Sequence, residues 1–304
     1  VGRALFSTDV SGTANRVGQA LTVALAETNH RILSLGLYAP DFIPTPRNRV
    51  FRRALDTLDS VIFDIISRRR AGQTQGDDLL GTLMAAQDAD TGERMTDAQL
   101  RDEAMTLFLA GHETTANALS WMWHLLAQHP EVEARARAEV ERVLGGRAPT
   151  AQDIPQLRYL TQVFEETMRL YPPAWITARQ PVKEDVLAGV QLPASPRIVV
   201  VIPAYALHRN PRLWPEPERF DPERFSPEQS AGRPRMAYLP FGGGQRLCIG
   251  NSFALMEATL ITALVLQHFR LRAVPGHAVE PEPLVTLRPR GGLPMLVEPL
   301  HASA

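Results

Sequence analysis

The segment Phe241-Gly-Gly-Gly-Gln-Arg-Leu-Cys-Ile-Gly250 sets three glycines, an arginine and the only cysteine of this 304-residue chain directly ahead of an apolar run with helical spacing. Glycine tolerates positive backbone angles and lets a chain pass close to a flat molecule without a side-chain clash. A cysteine at a helix start is favoured as the thiolate by the positive end of the helix dipole and by nearby N–H groups. Arg246, two residues earlier, carries a guanidinium that can grip a carboxylate with two parallel hydrogen bonds. One cysteine excludes an internal disulfide and a cluster of thiolate ligands, so any chemistry of Cys248 is solitary. The plain alternative is a small cysteine buried in a glycine turn.

Two further polar groups sit where apolar spacing says helix. From Ala104 to Ala127 the chain is almost entirely apolar or small, apart from His112-Glu-Thr-Thr115, Asn117 and His124. A carboxylate in such surroundings costs free energy unless something pairs with it or needs it, which singles out Glu113. Thr114 can return its hydroxyl to the carbonyl of Ala110, loosening the ladder and opening room beside Gly111 for oxygen and water. Taken alone, the same string also fits a central helix with one solvated polar face. Glu166 and Arg169 lie three apart on another helix, where a salt bridge is easy and, by itself, commonplace.

These strings resemble three signatures of the cytochrome P-450 family. Phe241 to Gly250 fits the haem-ligand pattern Phe-x-x-Gly-x-Arg-x-Cys-x-Gly at every fixed position and continues with Ala254 and Glu257. Ala-Gly-His-Glu-Thr-Thr-Ala116 looks like the family's oxygen-activation motif. Glu-Thr-Met-Arg-Leu-Tyr-Pro-Pro173 resembles its Glu-x-x-Arg helix, and Phe220-Asp-Pro-Glu-Arg-Phe225 the partner motif. The three occur in family order, and the resemblance runs through essentially the whole chain.

What the resemblance implies can be stated residue by residue. Haem b would bind with the Cys248 thiolate as axial ligand, against Phe241, Gly242, Gly244 and Gly250, with Arg246 on one propionate and Arg179 on the other. Glu113 and Thr114 would be the acid–alcohol pair that guides protons, with Ala110 and Gly111 beside the haem. His112 is read as a structural neighbour, since a second strong ligand would close the position oxygen needs. Glu166, Arg169 and Arg224 would form a buried structural network, with Arg219 as second choice for its third member. Ala110, Ala174, Trp175 and Val285 would line an apolar substrate pocket, which suits a fatty acid, terpenoid or polyketide. The long-helix string looks most like fatty-acid-hydroxylating relatives.

The implied activity is a haem-thiolate monooxygenase that inserts one oxygen atom from O2 into a hydrophobic substrate. Its electrons would come from an external ferredoxin or flavoprotein reductase. Arg135, Arg137, Arg142 and Arg233 are candidate docking charges, beside the plainer reading of a solvated face. The alternatives are a haem-thiolate peroxygenase or isomerase, and an inactive fragment that does not bind haem alone. Family chains carry more sequence ahead of this point, and the first residue is Val1, so the N-terminal helices are expected to be missing. The expected fold is mainly α with a minor β part, a truncated form of the family's helical prism. Residues 1–304 would then be a single partial haem-thiolate monooxygenase domain. The expected location is the cytoplasm, with an N-terminal anchor left open.

The elements that must position these residues can be outlined from periodicity. Residues 13–35 and 47–70 read as helices joined by the proline-punctuated Tyr38–Pro46 loop, followed by a short helix from Asp77 to Gln87 and a turn at Thr91-Gly92. A long helix starts at Thr96 and Asp97 and reaches Gln128, ended by Pro130. Glu131–Leu144 is stopped by Gly145-Gly146, and Leu157–Leu170 by Pro172-Pro173. Asp185–Leu192 and Ile198–Pro203 look like the two arms of a hairpin. Residues 208–238 form an irregular, proline-stiffened meander. Asn251–Phe269 is a helix, and Val285–Leu287 and Leu293–Val297 are strands. With 44% hydrophobic residues the chain can bury a large core, and 32 basic against 33 acidic residues give no reason to expect nucleic acid. No apolar run approaches the ~20 residues of a membrane span.

Overall fold

The structure, a computed structural model, describes residue 7 and residues 14–34, 38–72, 78–195 and 197–300. The expected helix ends at residues 13, 35 and Asp77 lie outside these. The fold is mainly α with a minor β part. The chain divides into two compact units, Val1–Glu113 and Thr114–Ala304, with the boundary inside one long helix. No described helix is long and apolar enough to cross a membrane.

The first unit is built on α1 (Ala14–Leu33) and α2 (Pro46–Arg70). Ala54, Leu58, Ile62, Ile65 and Ile66 recur at helical spacing on α2 and bury one stripe against Val17, Ala20, Leu21 and Ala24 of α1. Pro46 suits the first helical turn of α2, and the Thr45 hydroxyl accepts from the Asn48 amide at 3.1 Å. Buried Asn48 donates to the carbonyls of Ala39, Pro40 and Ile43, which fixes the proline loop ahead of the helix. The short helix α3 (Leu79–Ala85) is capped by Asp78, which also pairs with Arg69 at 2.6 Å. That guanidinium holds the Asp78 carboxyl down at about 2. Leu100, Ala104, Met105 and Phe108, from the first half of α4 (Asp97–Gln128), close the same core.

In the second unit the core gathers Ala118, Met122, Leu125 and Leu126 of α4 with α5 (Pro130–Leu144), α6 (Arg158–Leu170) and α9 (Asn251–His268). Val132, Ala136, Val140 and Leu144 form an unbroken i, i+4 row on α5. Pro130 does more than end α4: it occupies the first turn of α5, where its missing N–H is harmless. Gly145 closes α5 with φ of 54°. A 3-10 turn at Ala151–Gln156, unannounced by periodicity, is set by a capping box between Thr150 and Asp153.

The strands differ from expectation. Asp185–Leu192 is a complete hairpin in itself, β2 (Asp185–Leu187) against β3 (Val190–Leu192), because Ala188 and Gly189 both take positive φ and make a two-residue turn. The expected second arm, β4 (Val200–Ile202), instead pairs antiparallel with β1 (Thr177–Arg179), just after α6. A short helix, α7 (Ala204–Leu207), follows. The meander holds a 3-10 turn at Pro222–Phe225 and the single-turn helix α8 (Pro227–Ser230), capped by Asp221 and Ser226. At the C-terminal end β5 (Phe269–Ala273) pairs with β8 (Met295–Pro299), and β6 (Pro281–Pro283) with β7 (Leu287–Pro289). Val285 and Thr286, expected within a strand, lie at the tip of the latter hairpin, while Leu287 begins β7.

Candidate functional site

The deepest polar feature of the second unit grows from α6. Glu166 and Arg169 are both fully buried. Arg169 grips the carboxylate through Nε at 2.6 Å and Nη2 at 2.8 Å. Its remaining hydrogens go to the carbonyls of His208 at 2.9 Å, Pro217 at 2.7 Å and Arg219 at 3.0 Å. Glu166 also accepts from the Asp221 amide at 2.9 Å and has the Arg224 guanidinium 3.4 Å away. The structure thus brings Glu166, Arg169 and Arg224 together. Arg219 enters through its carbonyl, while its side chain is exposed and paired with Glu216.

The cysteine loop follows the meander. Gly242 and Gly244 have φ of 74° and 68°, in the region only glycine adopts without strain. A 3-10 turn at Gly244–Arg246 follows, and the Cys248 amide donates back to the Phe241 carbonyl at 3.0 Å, closing the loop. Gly250 begins α9, and its carbonyl accepts from Ala254 at 2.8 Å. Cys248 is exposed, which removes the alternative of a cysteine buried in a turn. Leu247 and Ile249 beside it are 47% and 87% exposed. Arg246 stands exposed on the same loop.

The other candidates fall in separate places. In the first unit Ala110 is exposed, Gly111 and Glu113 are half-buried, and His112 stacks on Phe108 with ring centroids 6.1 Å apart. Thr114 opens the second unit, half-buried beside buried Thr115. Ala174, Trp175 and Val285 are drawn together: Trp175 Nε1 donates to the Leu284 carbonyl at 2.9 Å, and the Leu287 amide to Pro173 at 3.0 Å. The same hairpin is tied to α4 by Asn117 to Thr286 at 3.0 Å and Trp121 to the Leu287 carbonyl at 3.1 Å. Arg179 lies exposed in β1, where its guanidinium donates to the Ala178 carbonyl at 2.8 Å. A cavity of about 270 Å³ lined by Asn117, Ser120, Arg288, Pro289, Gly291 and Gly292 touches none of the predicted residues.

The sequence profile of the cytochrome P-450 family matches residues 7–293. The chain belongs to the cytochrome P-450 family. It is 44% identical to cyclooctatin synthase of Streptomyces melanosporofaciens over 98% of this chain and 64% of that protein. It is 41% identical to cyclooctat-9-en-7-ol 5-monooxygenase of the same organism, again over 98% of this chain and 64% of the relative. The crystal structure of the cytochrome P450DA heme domain superposes with a TM-score of 0.87 at 30% identity, covering 99% of this chain and 65% of that one. The chain therefore spans just under two thirds of the length of these relatives.

For a cytochrome P-450 the implied cofactor is haem, and the loop fits it on its own geometry. An outward-facing thiol, left-handed glycines that keep the approach free of side chains, and apolar Leu247 and Ile249 suit a flat, greasy ligand with one metal position. Among the described residues no group of three or more His, Cys, Asp or Glu is arranged to hold a metal ion.

All four arginines read as candidate docking charges have partners within the chain. Arg135 pairs with Glu223 and lies 3.9 Å over the Tyr159 ring; Arg137 bonds Glu133 and the Leu266 carbonyl; Arg233 stacks 4.4 Å over Trp214 and bonds the Arg224 carbonyl. Arg142 lies 3.9 Å from Glu139, and the side chains of Arg135 and Arg142 remain 58% and 67% exposed.

Sequence reasoning passed over His208, Trp214 and Tyr238, which join the meander to α6. Trp214 donates to the Ala237 carbonyl, and the Tyr238 hydroxyl to the Glu165 carbonyl at 2.9 Å. The available signal was an isolated histidine and tryptophan in a segment otherwise rich in proline and charge. Burial pushes His208 down to about 4 and the Glu165 carboxyl up to about 7. As pH falls from 6.5 to 4 the unfolded chain protonates His208 and the folded chain does not, which destabilises the fold by roughly 3 kcal/mol. Between pH 7 and 4.5 the folded chain alone protonates Glu165, which stabilises by a similar amount. The two nearly cancel, so Glu165→Gln should unmask a loss of roughly 3 kcal/mol between pH 7 and pH 4 in denaturant titrations. A flat stability profile in that variant would show that His208 titrates normally.

Proposed function

We propose that this chain is the haem-carrying part of a monooxygenase that inserts one oxygen atom from O2 into a hydrophobic organic substrate. The observation that carries the reading is the exposed Cys248 thiol at the end of a loop shaped by Gly242 and Gly244. Cys248 would hold the iron of haem b as its thiolate, with Phe241 and the loop glycines against the ring, Arg246 on one propionate and Arg179 on the other. When bound, that group supplies activation of dioxygen, and a thiolate ligand favours O–O cleavage.

The chain's own residues then do four things. Ala110 and Gly111 would leave room for oxygen, since neither carries a large side chain. Glu113 and Thr114, the latter through Oγ1, would act as the acid–alcohol pair that relays protons toward the place where oxygen is reduced. Ala174, Trp175 and Val285 offer an apolar lining that selects a hydrophobic substrate and excludes water. The Glu166–Arg169–Arg224 network pins the meander so that the cysteine loop keeps its place. A relative named for its action on cyclooctat-9-en-7-ol supports an alicyclic, largely hydrocarbon substrate. Two electrons per turnover would come from a ferredoxin or flavoprotein, the redox partner that the family resemblance implies.

Thr114→Ala tests the proton role. With a reductase system, product formed per electron pair should fall ~10-fold or more while hydrogen peroxide rises; unchanged coupling would remove Thr114 from the mechanism. Turnover with peroxide but none with electrons and O2 would favour the peroxygenase reading instead.

A further inference from the structure

We propose that His208 is a positioning residue for the cysteine loop, holding the chain that enters the loop through its imidazole Nε2. Its consequence for haem ligation rests on the reading of Cys248 given above; its geometry does not.

His208 ends α7 fully buried. Its two ring nitrogens face main-chain groups of opposite kind. Nδ1 lies 3.2 Å from the Arg169 carbonyl, which can only accept, and Nε2 lies 2.8 Å from the Leu239 amide nitrogen, which can only donate. The neutral ring with its hydrogen on Nδ1 is the one protonation state that satisfies both. The clamp on α6 is reciprocal, since the His208 carbonyl accepts from Arg169 Nη1 at 2.9 Å. Tyr238 and Trp214 pack around the ring at centroid distances of 5.4 and 6.5 Å.

From Leu239 the connection runs into the loop. The Leu239 carbonyl accepts from Gly242 at 3.1 Å, and the Phe241 carbonyl accepts from the Cys248 amide at 3.0 Å. The first turn of the loop is thus referenced to α6 and to the buried Glu166–Arg169 pair through the imidazole, beside the neighbouring Tyr238 hydroxyl on the Glu165 carbonyl. Without an acceptor at Nε2 the half-buried Leu239 amide loses its partner, and the turn that fixes the Cys248 backbone loses one of its ties to α6.

Two substitutions separate this role from general packing. His208→Asn keeps an amide group near the Nδ1 position and lacks an acceptor near Nε2; His208→Gln can place its carbonyl oxygen near Nε2. In His208→Asn the amides of Leu239 and Cys248 should exchange hydrogen roughly tenfold faster while those of central α6 are unchanged. His208→Gln should restore slow exchange. In the haem-loaded chain, His208→Asn should split the ferrous carbon-monoxide band between red-shifted and unshifted forms, and His208→Gln should return it to the red-shifted form. Equal behaviour of the two variants, or faster exchange spread evenly through α6, would overturn the proposal. If the unaltered chain itself shows no red-shifted band, the haem reading fails, and the exchange comparison still decides the role of His208.

Discussion

Glu166→Ala is expected to yield a chain that takes up no haem and whose second unit is severely destabilised. The carboxylate is fully buried and meets Arg169 Nε at 2.6 Å, Arg169 Nη2 at 2.8 Å, the Asp221 amide at 2.9 Å and Arg224 at 3.4 Å. Its removal strands two guanidinium groups in a place water does not reach. Breaking a buried ion pair in this way costs about 3–5 kcal/mol, a large share of the ~5–15 kcal/mol that holds a domain together. The loss falls where α6 meets the meander, so the cysteine loop loses its support together with the fold. Glu166→Gln keeps the shape and one acceptor and should lie between wild type and alanine. Denaturant midpoints and haem bound per chain read both effects; normal haem content in the alanine variant would show that the network is dispensable.

Cys248→Ala should behave in the opposite way. The thiol is exposed, and no core side chain depends on it for packing. Substitution at such a position ordinarily changes stability by no more than about 0.5 kcal/mol. The melting temperature of the haem-free chain should therefore stay where it was, while O2-dependent turnover of the haem-loaded chain with any electron donor falls below detection. Sustained turnover in that variant would mean the chemistry lies elsewhere. A large drop in melting temperature would mean Cys248 serves the fold.

Local signals carried most of the helical fold. Ala54, Leu58, Ile62 and Ile66 announce α2 by spacing, Pro130 and Gly145 mark both ends of α5, and Pro172 stops the chain just beyond α6. The motifs at Cys248, Glu113 and Glu166 are legible for the same reason: their residues are close in sequence. What the sequence hid depends on partners far along the chain. Val200–Ile202 could not declare its pairing with Thr177–Arg179, and the Ala188-Gly189 turn that frees it was masked by branched neighbours on both sides. Phe269-Arg-Leu-Arg-Ala273 alternates as a strand should, but it abuts a long apolar helix and pairs only with Met295–Pro299. Arg135, Arg137 and Arg233 look like free surface charges until Tyr159, the Leu266 carbonyl and Trp214 are seen beside them. His208 belongs to the same class, since nothing within several residues of it foretells Arg169 or Leu239.

The carbon-monoxide difference spectrum of the reduced chain, titrated with haem, bears most directly on whether Cys248 ligates iron. A strongly red-shifted band that saturates at one haem per chain and vanishes in Cys248→Ala is the predicted result. A band at the position of nitrogen-ligated haem proteins, indifferent to that substitution, would contradict it.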